Sequence, residues 1–173
     1  MNTDNQPNTG QESNQPNTIN DSCTDGTSGT YQTDESLERI RIYTDNNGDF
    51  AASSEVTVEA TVIAYSGGFA ADRALFFYAP NGLDPLWTHF GTLTPTKVGL
   101  NVLSAQYTLP AGAVQAVRVA FRYDNDDSSS SCVPGQWSDV DDLIFAVGPS
   151  GGETASGEPI AHEDQDYDNF FHL

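Results

Sequence analysis

Ser54–Tyr65 reads SEVTVEATVIAY. Val56, Val58, Ala60 and Val62 alternate with Glu55, Thr57, Glu59 and Thr61. A period of two places the first set on one face of a β-strand and the second on the other. The same pattern returns in VQAVRVAFRY, residues 114–123, where Val117, Val119 and Phe121 interleave with Arg118, Ala120 and Arg122. It returns again in LERIRIYT, residues 37–44, where Ile40 and Ile42 interleave with Arg39 and Arg41. Runs rich in β-branched and aromatic residues at 73–79, 86–92, 102–109 and 142–147, bounded by Gly, Pro, Asn and Asp, complete seven predicted strands. No segment carries a sustained helical period with caps. The expected architecture is an all-β, jelly-roll-like antiparallel β-sandwich over residues 35–148. One face of each strand is expected to meet the core. The alternating arginines are expected on the solvent face, paired across strands with Glu55 and Glu59.

At 173 residues the chain has room for one domain and its tails. Residues 1–34 are rich in Asn, Gln, Thr, Ser and Gly, and repeat NQPNT at 5–9 and 14–18. So little apolar surface cannot offset ordering entropy, and a flexible arm is expected. Residues 149–173 begin as a Gly, Ser and Pro linker and end in EDQDYDNFFHL, where acidic residues precede Phe170, Phe171 and Leu173. That ending suits docking on a neighbour or on the chain's own sheet, and it resembles the uncleaved C-terminal signals of type I secretion substrates.

A formal net charge of −19 opposes nucleic-acid binding, which needs basic patches to neutralise phosphate. No apolar run approaches the roughly 20 residues that span a bilayer, so membrane insertion is not expected. The first residues lack a basic-then-apolar leader. Export would then require either a leader replaced by the starting Met or a route without a cleaved signal. Cys23 and Cys132 stand in polar, loop-like settings without CxxC spacing. A disulfide between them is expected, with two separate thiols as the alternative. The bond would close a loop of about 110 residues and stabilise by roughly 4–5 kcal/mol in the entropy model.

HExxH, GxSxG, GxGxxG and P-loop signatures are absent, and the β region holds a single histidine, His89. An enzyme is not expected, and a glycosidase using two carboxylates is the remaining catalytic alternative. Hard oxygen ligands gather in two places. YTDNNGDF carries Asp45, Asn47 and Asp49, and SDVDDLIFAV carries Asp139, Asp141 and Asp142. The first fails as an EF-hand, because Phe50 holds the glycine position and no Glu falls twelfth. If the first and last strands pair antiparallel, the two sets converge and would hold a structural Ca²⁺. Solvated turns are the alternative. DNDDSSSS, residues 124–131, reads as a separate solvated acidic loop. Trp87, Trp137 and Tyr78, with Tyr65 and Phe76, could form a platform on which sugar rings stack, against the default of core burial.

ERIRIYTDNNGDF, YTLPAGAVQAVRVAFRY and CVPGQWSDVDDLIFAV together resemble the non-catalytic β-sandwich domains at the C-termini of secreted bacterial proteases. The Asp-Asp-aliphatic start of the last strand is also similar to calcium-bearing jelly-roll carbohydrate-binding modules. The resemblance implies an extracellular or cell-surface accessory module, holding calcium and contacting a glycan or protein surface. The pattern places a catalytic domain ahead of the sandwich, which this sequence does not carry, so either an excised module or a free-standing protein that uses the fold alone is expected. The alternative role is a structural subunit of an extracellular or virion assembly, self-associating through its terminal arms.

Overall fold

The computed structural model describes residues 18–28, 34–123, 130–132 and 135–149. The NQPNT repeat apart from Thr18, most of the acidic loop and the C-terminal tail from residue 150 onward lie outside them. Seven strands follow in chain order: β1 Ser36–Tyr43, β2 Glu55–Ala64, β3 Asp72–Ala79, β4 Thr88–Leu93, β5 Gly99–Thr108, β6 Val114–Tyr123 and β7 Ser138–Ala146. They form one sheet in the order β1-β2-β5 and a second in the order β4-β3-β6-β7, with every ladder antiparallel. This is the expected all-β sandwich. Leu37, Val56, Val58, Ala60 and Val62 of the first sheet pack against Phe76, Val117, Val119 and Phe121 of the second.

Leu37 and Ile40 both belong to this inner layer although they stand an odd number of residues apart. A bulge reconciles them: Leu37 pairs with Val62 and Arg39 with Thr61, leaving Glu38 as the extra residue. Beyond it Arg39 and Arg41 face outward. Arg39 meets Glu59 at 3.4 Å, and the Arg41 guanidinium lies 4.7 Å over the Tyr43 ring.

The expected pairing of β1 with β7 does not occur. Each is captured by its own hairpin partner, β1 by β2 and β7 by β6. They lie in opposite sheets, start above start, with the Leu37 amide donating to the Asp139 carboxylate. β7 also begins at Ser138, four residues ahead of the predicted 142, so the three aspartates are strand residues rather than a lead-in.

The arginines of β6 are the second correction. Arg118 and Arg122 are 1% and 2% exposed, although they point away from the sandwich core. The outer face of the four-stranded sheet is covered by part of the N-terminal region read as a flexible arm. Thr18–Ser28 crosses it as a strap, burying Ile19 and Cys23 against Leu75, Phe77, Ala79, Ala116 and Val140. Cys23 and Cys132 are joined as a disulfide.

Arg118 sits beneath that crossing. Its Nε and Nη2 donate to Asp142 Oδ1 and Oδ2 at 2.6 and 2.8 Å. Nη2 also reaches Ser22 Oγ at 2.7 Å, and Nη1 reaches the Ser131 carbonyl at 3.1 Å. The guanidinium stacks 4.5 Å over Trp87. The strap then runs along β7: Val140 N donates to Asp25 Oδ1 at 2.9 Å, and Gly26 N to the Ser138 carbonyl at 2.6 Å. A Cβ on residue 26 would collide with the Gln136 carbonyl and the Ser138 amide, so only glycine allows this approach.

Removing one partner of a buried ion pair leaves an uncompensated charge. Arg118→Ala should therefore cost about 3–5 kcal/mol in urea unfolding, and Arg118→Met with Asp142→Leu should recover most of it.

Candidate functional site

Glu35 precedes β1, Tyr65 follows β2, Asp72 opens β3, Tyr123 closes β6 and Trp137 precedes β7. Antiparallel pairing brings these five strand ends to one end of the sandwich. There Asp34, Glu35, Tyr65, Gly67, Tyr123 and Trp137 line a cleft of about 230 Å³. The three rings are exposed at 41%, 44% and 37% for Tyr65, Tyr123 and Trp137, unlike the core aromatics. Tyr123 and Trp137 meet edge to face, with centroids 6.1 Å apart and planes at 89°. The Tyr123 amide donates to the Trp137 carbonyl at 3.0 Å, which fixes the two residues side by side.

The turn Ser66-Gly67-Gly68 shapes the wall. A Cβ on Gly67 would stand 2.5 Å from Tyr65 Cε1, and one on Gly68 would stand 2.5 Å from Tyr123 Cε2. Both rings lie over backbone that has no side chain, and any larger residue would displace them.

Glu35, which lines the cleft, and the neighbouring Asp72 are both buried. Burial pushes the Glu35 carboxyl up to about 9, and the neighbouring Asp34 and Asp72 add to the rise. Burial raises Asp72 to about 6, with Glu35, the Tyr65 backbone and Arg73 pulling it back. At neutral pH the native state therefore holds a proton on this pair.

The six predicted calcium ligands are not brought together. Leu37, at the start of β1, binds Asp139, whereas Asp45, Asn47 and Asp49 follow its far end. Eight residues of strand, roughly 26 Å at 3.3 Å each, separate the two sets. The turn lies instead beside the end of β7, where Gly148 N donates to the Phe50 carbonyl at 2.8 Å. Asn46 holds it locally, its Oδ1 accepting from the Gly48 amide at 2.9 Å, with Asn47 at a left-handed φ of 52°.

The β7 aspartates are buried and point to both faces of the sheet. Asp139 and Asp141 stand opposite Phe121 and Val119 on the inner face, and Asp142 faces Arg118 on the outer face. Burial raises the Asp142 carboxyl above the usual range, opposed by Arg118 and the Ile19 amide. Among the described residues, no group of three or more His, Cys, Asp or Glu is placed to hold a metal ion.

Of the five aromatics predicted as a stacking platform, Trp137 and Tyr65 line the cleft, and Phe76 is buried in the core. Trp87 is half-buried over Arg118, and Tyr78 stacks on Tyr107 with centroids 4.9 Å apart. His89 is exposed on β4 and bonds Thr92 Oγ1 at 2.9 Å, away from the cleft. Tyr123, Asp34, Glu35 and Asp72 were not singled out from the sequence. Their signals were faint: an aromatic ending an alternating strand, paired glycines after Tyr65, and acids at two strand starts.

The fold and cleft together define a β-sandwich with an aromatic, acidic recess at one end. The chain matches no protein-family model and no curated protein.

Between the ordinary carboxyl range and about pH 9, the folded protein keeps a proton at Glu35 that the unfolded chain has released. Stability must fall as pH rises through that window, with Asp72 contributing to its lower part, up to about pH 6. Urea unfolding at pH 5, 7 and 9 should show this decline, and Glu35→Gln should flatten it.

Proposed function

We propose that this protein is a non-catalytic extracellular binding module whose ligand is a glycan seated in the Tyr65–Tyr123–Trp137 cleft. The carrying observation is that three partly exposed rings and two carboxylate-bearing residues converge on one recess. Phe50, Phe76, Phe77, Tyr78, Phe90, Tyr107, Phe121 and Phe145, by contrast, pack into the core. Ring faces supply apolar contact for a pyranose, and the Asp34 carboxylate accepts hydrogen bonds from its hydroxyls. The disulfide supports an oxidising compartment, and no helix among the described residues is long and apolar enough to cross a membrane. The kinship with accessory domains of secreted proteases belongs to the same proposal, carried by the sandwich and by the motifs quoted above.

A buried carboxyl with a raised pKa beside a second one, at a cleft, also favours a glycosidase as the second reading. Turnover of a glycan panel that disappears in Glu35→Gln would replace binding with catalysis. Calcium remains in the proposal in narrowed form, at the Asp45–Asp49 turn. There Asp45 and Asp49, with the oxygen-bearing side chains of Thr44 and Asn46, border a shallow depression of about 350 Å³. A calcium-dependent rise in melting temperature that Asp49→Ala abolishes would place the ion there.

Affinity electrophoresis against a polysaccharide panel tests the main reading. At least one glycan should retard the protein, and Trp137→Ala should abolish the retardation without lowering the melting temperature by more than a few degrees. Absence of retardation across the panel would overturn it.

A further inference from the structure

We infer that the cleft selects a positively charged amino-sugar residue over a neutral sugar. This inference rests on the binding-module reading and adds the chemical class of its ligand. Tyr123 and Trp137 stand at 89° to each other, with Tyr65 as a third ring around the same recess. Perpendicular rings make a corner rather than a flat stacking platform. A corner surrounds a compact cationic group with electron-rich surface, and ring quadrupoles attract cations within about 6 Å of a centroid.

The charges around the recess point the same way. Asp34 lines it with its carboxylate partly exposed, the neighbouring Glu35 is buried and keeps its proton, and among the described residues that line it none is basic. The basic residues nearby are turned elsewhere. Arg73 Nη1 is bound to the Ala70 and Asp72 carbonyls at 2.9 and 2.8 Å, and Arg122 lies buried on the opposite face of its sheet. A primary ammonium can donate a charge-assisted hydrogen bond to the partly exposed Asp34 carboxylate, which a quaternary ammonium cannot do. The presence of acceptors therefore favours a protonated amine carried on a sugar ring over a choline-type group. The chain's net charge of −19 would also speed the approach of such a ligand.

The test is isothermal titration with a glucosamine trimer, its fully N-acetylated counterpart and choline, each at 20 and 200 mM salt. Glucosamine trimer should bind at least tenfold more tightly than the N-acetylated trimer. Asp34→Asn should shrink that preference, whereas Glu35→Gln, which removes no charge from a carboxyl that keeps its proton up to about pH 9, should leave it in place. Trp137→Ala, which leaves the charge unchanged, should remove binding. Affinity for glucosamine that survives Trp137→Ala would be general attraction to an acidic chain and would overturn the inference. Equal or tighter binding of the N-acetylated trimer, lost in Trp137→Ala, would overturn the charge preference and leave the binding module standing. Binding of choline alone would overturn the amino-sugar assignment. No binding of any sugar here, with none across the polysaccharide panel, would remove both.

Discussion

The Arg118–Asp142 pair is the constraint on which the rest of this structure depends. Two charges taken out of water cost several kcal/mol each, and their attraction offsets that only when the remaining donors and acceptors are also satisfied. Here they are satisfied by the covering layer. Ser22 and Ser131 accept from the guanidinium, and the Ile19 amide donates to the carboxylate. The partners come from the strap on one side and from the loop before β7 on the other. The disulfide joins those two segments one residue further along each, at Cys23 and Cys132. Ion pair and cross-link hold the same junction by different means, one by satisfying polar groups in the folded state and one by restricting the unfolded chain.

This explains why β6 is buried on both faces. Val117, Val119 and Phe121 meet the other sheet, while Arg118 and Ala120 meet the strap and Arg122 is buried on the same outer face. An alternating strand announces two faces, but periodicity does not say what covers each one. From VRVAFRY alone, the arginine face reads as wet. The hairpin register held the missing information: Asp142 falls opposite Arg118, and Ser138 opposite Arg122. Register depends on where the loop after Tyr123 ends, and three aspartates in five residues made that end look like an edge rather than a strand.

Other parts were legible for clear physical reasons. Strand positions followed from β-branched alternation, and the cysteines, in polar segments without metal spacing, read as a disulfide. Sheet order was less accessible. Pairing β1 with β7 was a plausible closure, but local hairpins captured both strands and placed the Asp45–Asp49 turn far from Asp139. The cleft was the hardest to foresee, because it is assembled from four strand ends. Trp137 stood out as a tryptophan in a loop. Glu35 and Asp72 looked like ordinary polar punctuation, and only the packing of one sheet on the other buries them together.

Strap and cleft are also connected through a single backbone segment. Ser28 N donates to the Gln136 carbonyl at 2.9 Å and Gly26 N to the Ser138 carbonyl at 2.6 Å, on either side of Trp137. Trp137 is tied on its other edge to Tyr123. The ring that forms one wall of the recess therefore projects from a stretch paired on both sides, by β6 within the sheet and by the strap outside it. Edge strands left unpaired can fray or recruit another chain, and the strap closes this one where the cleft needs a fixed wall. The N-terminal segment thus does more than cover apolar surface. By completing the edge of β7 it sets the position of Trp137, so the chemistry of the Arg118 junction and the shape of the recess are linked through about ten residues of polar, glycine-containing chain.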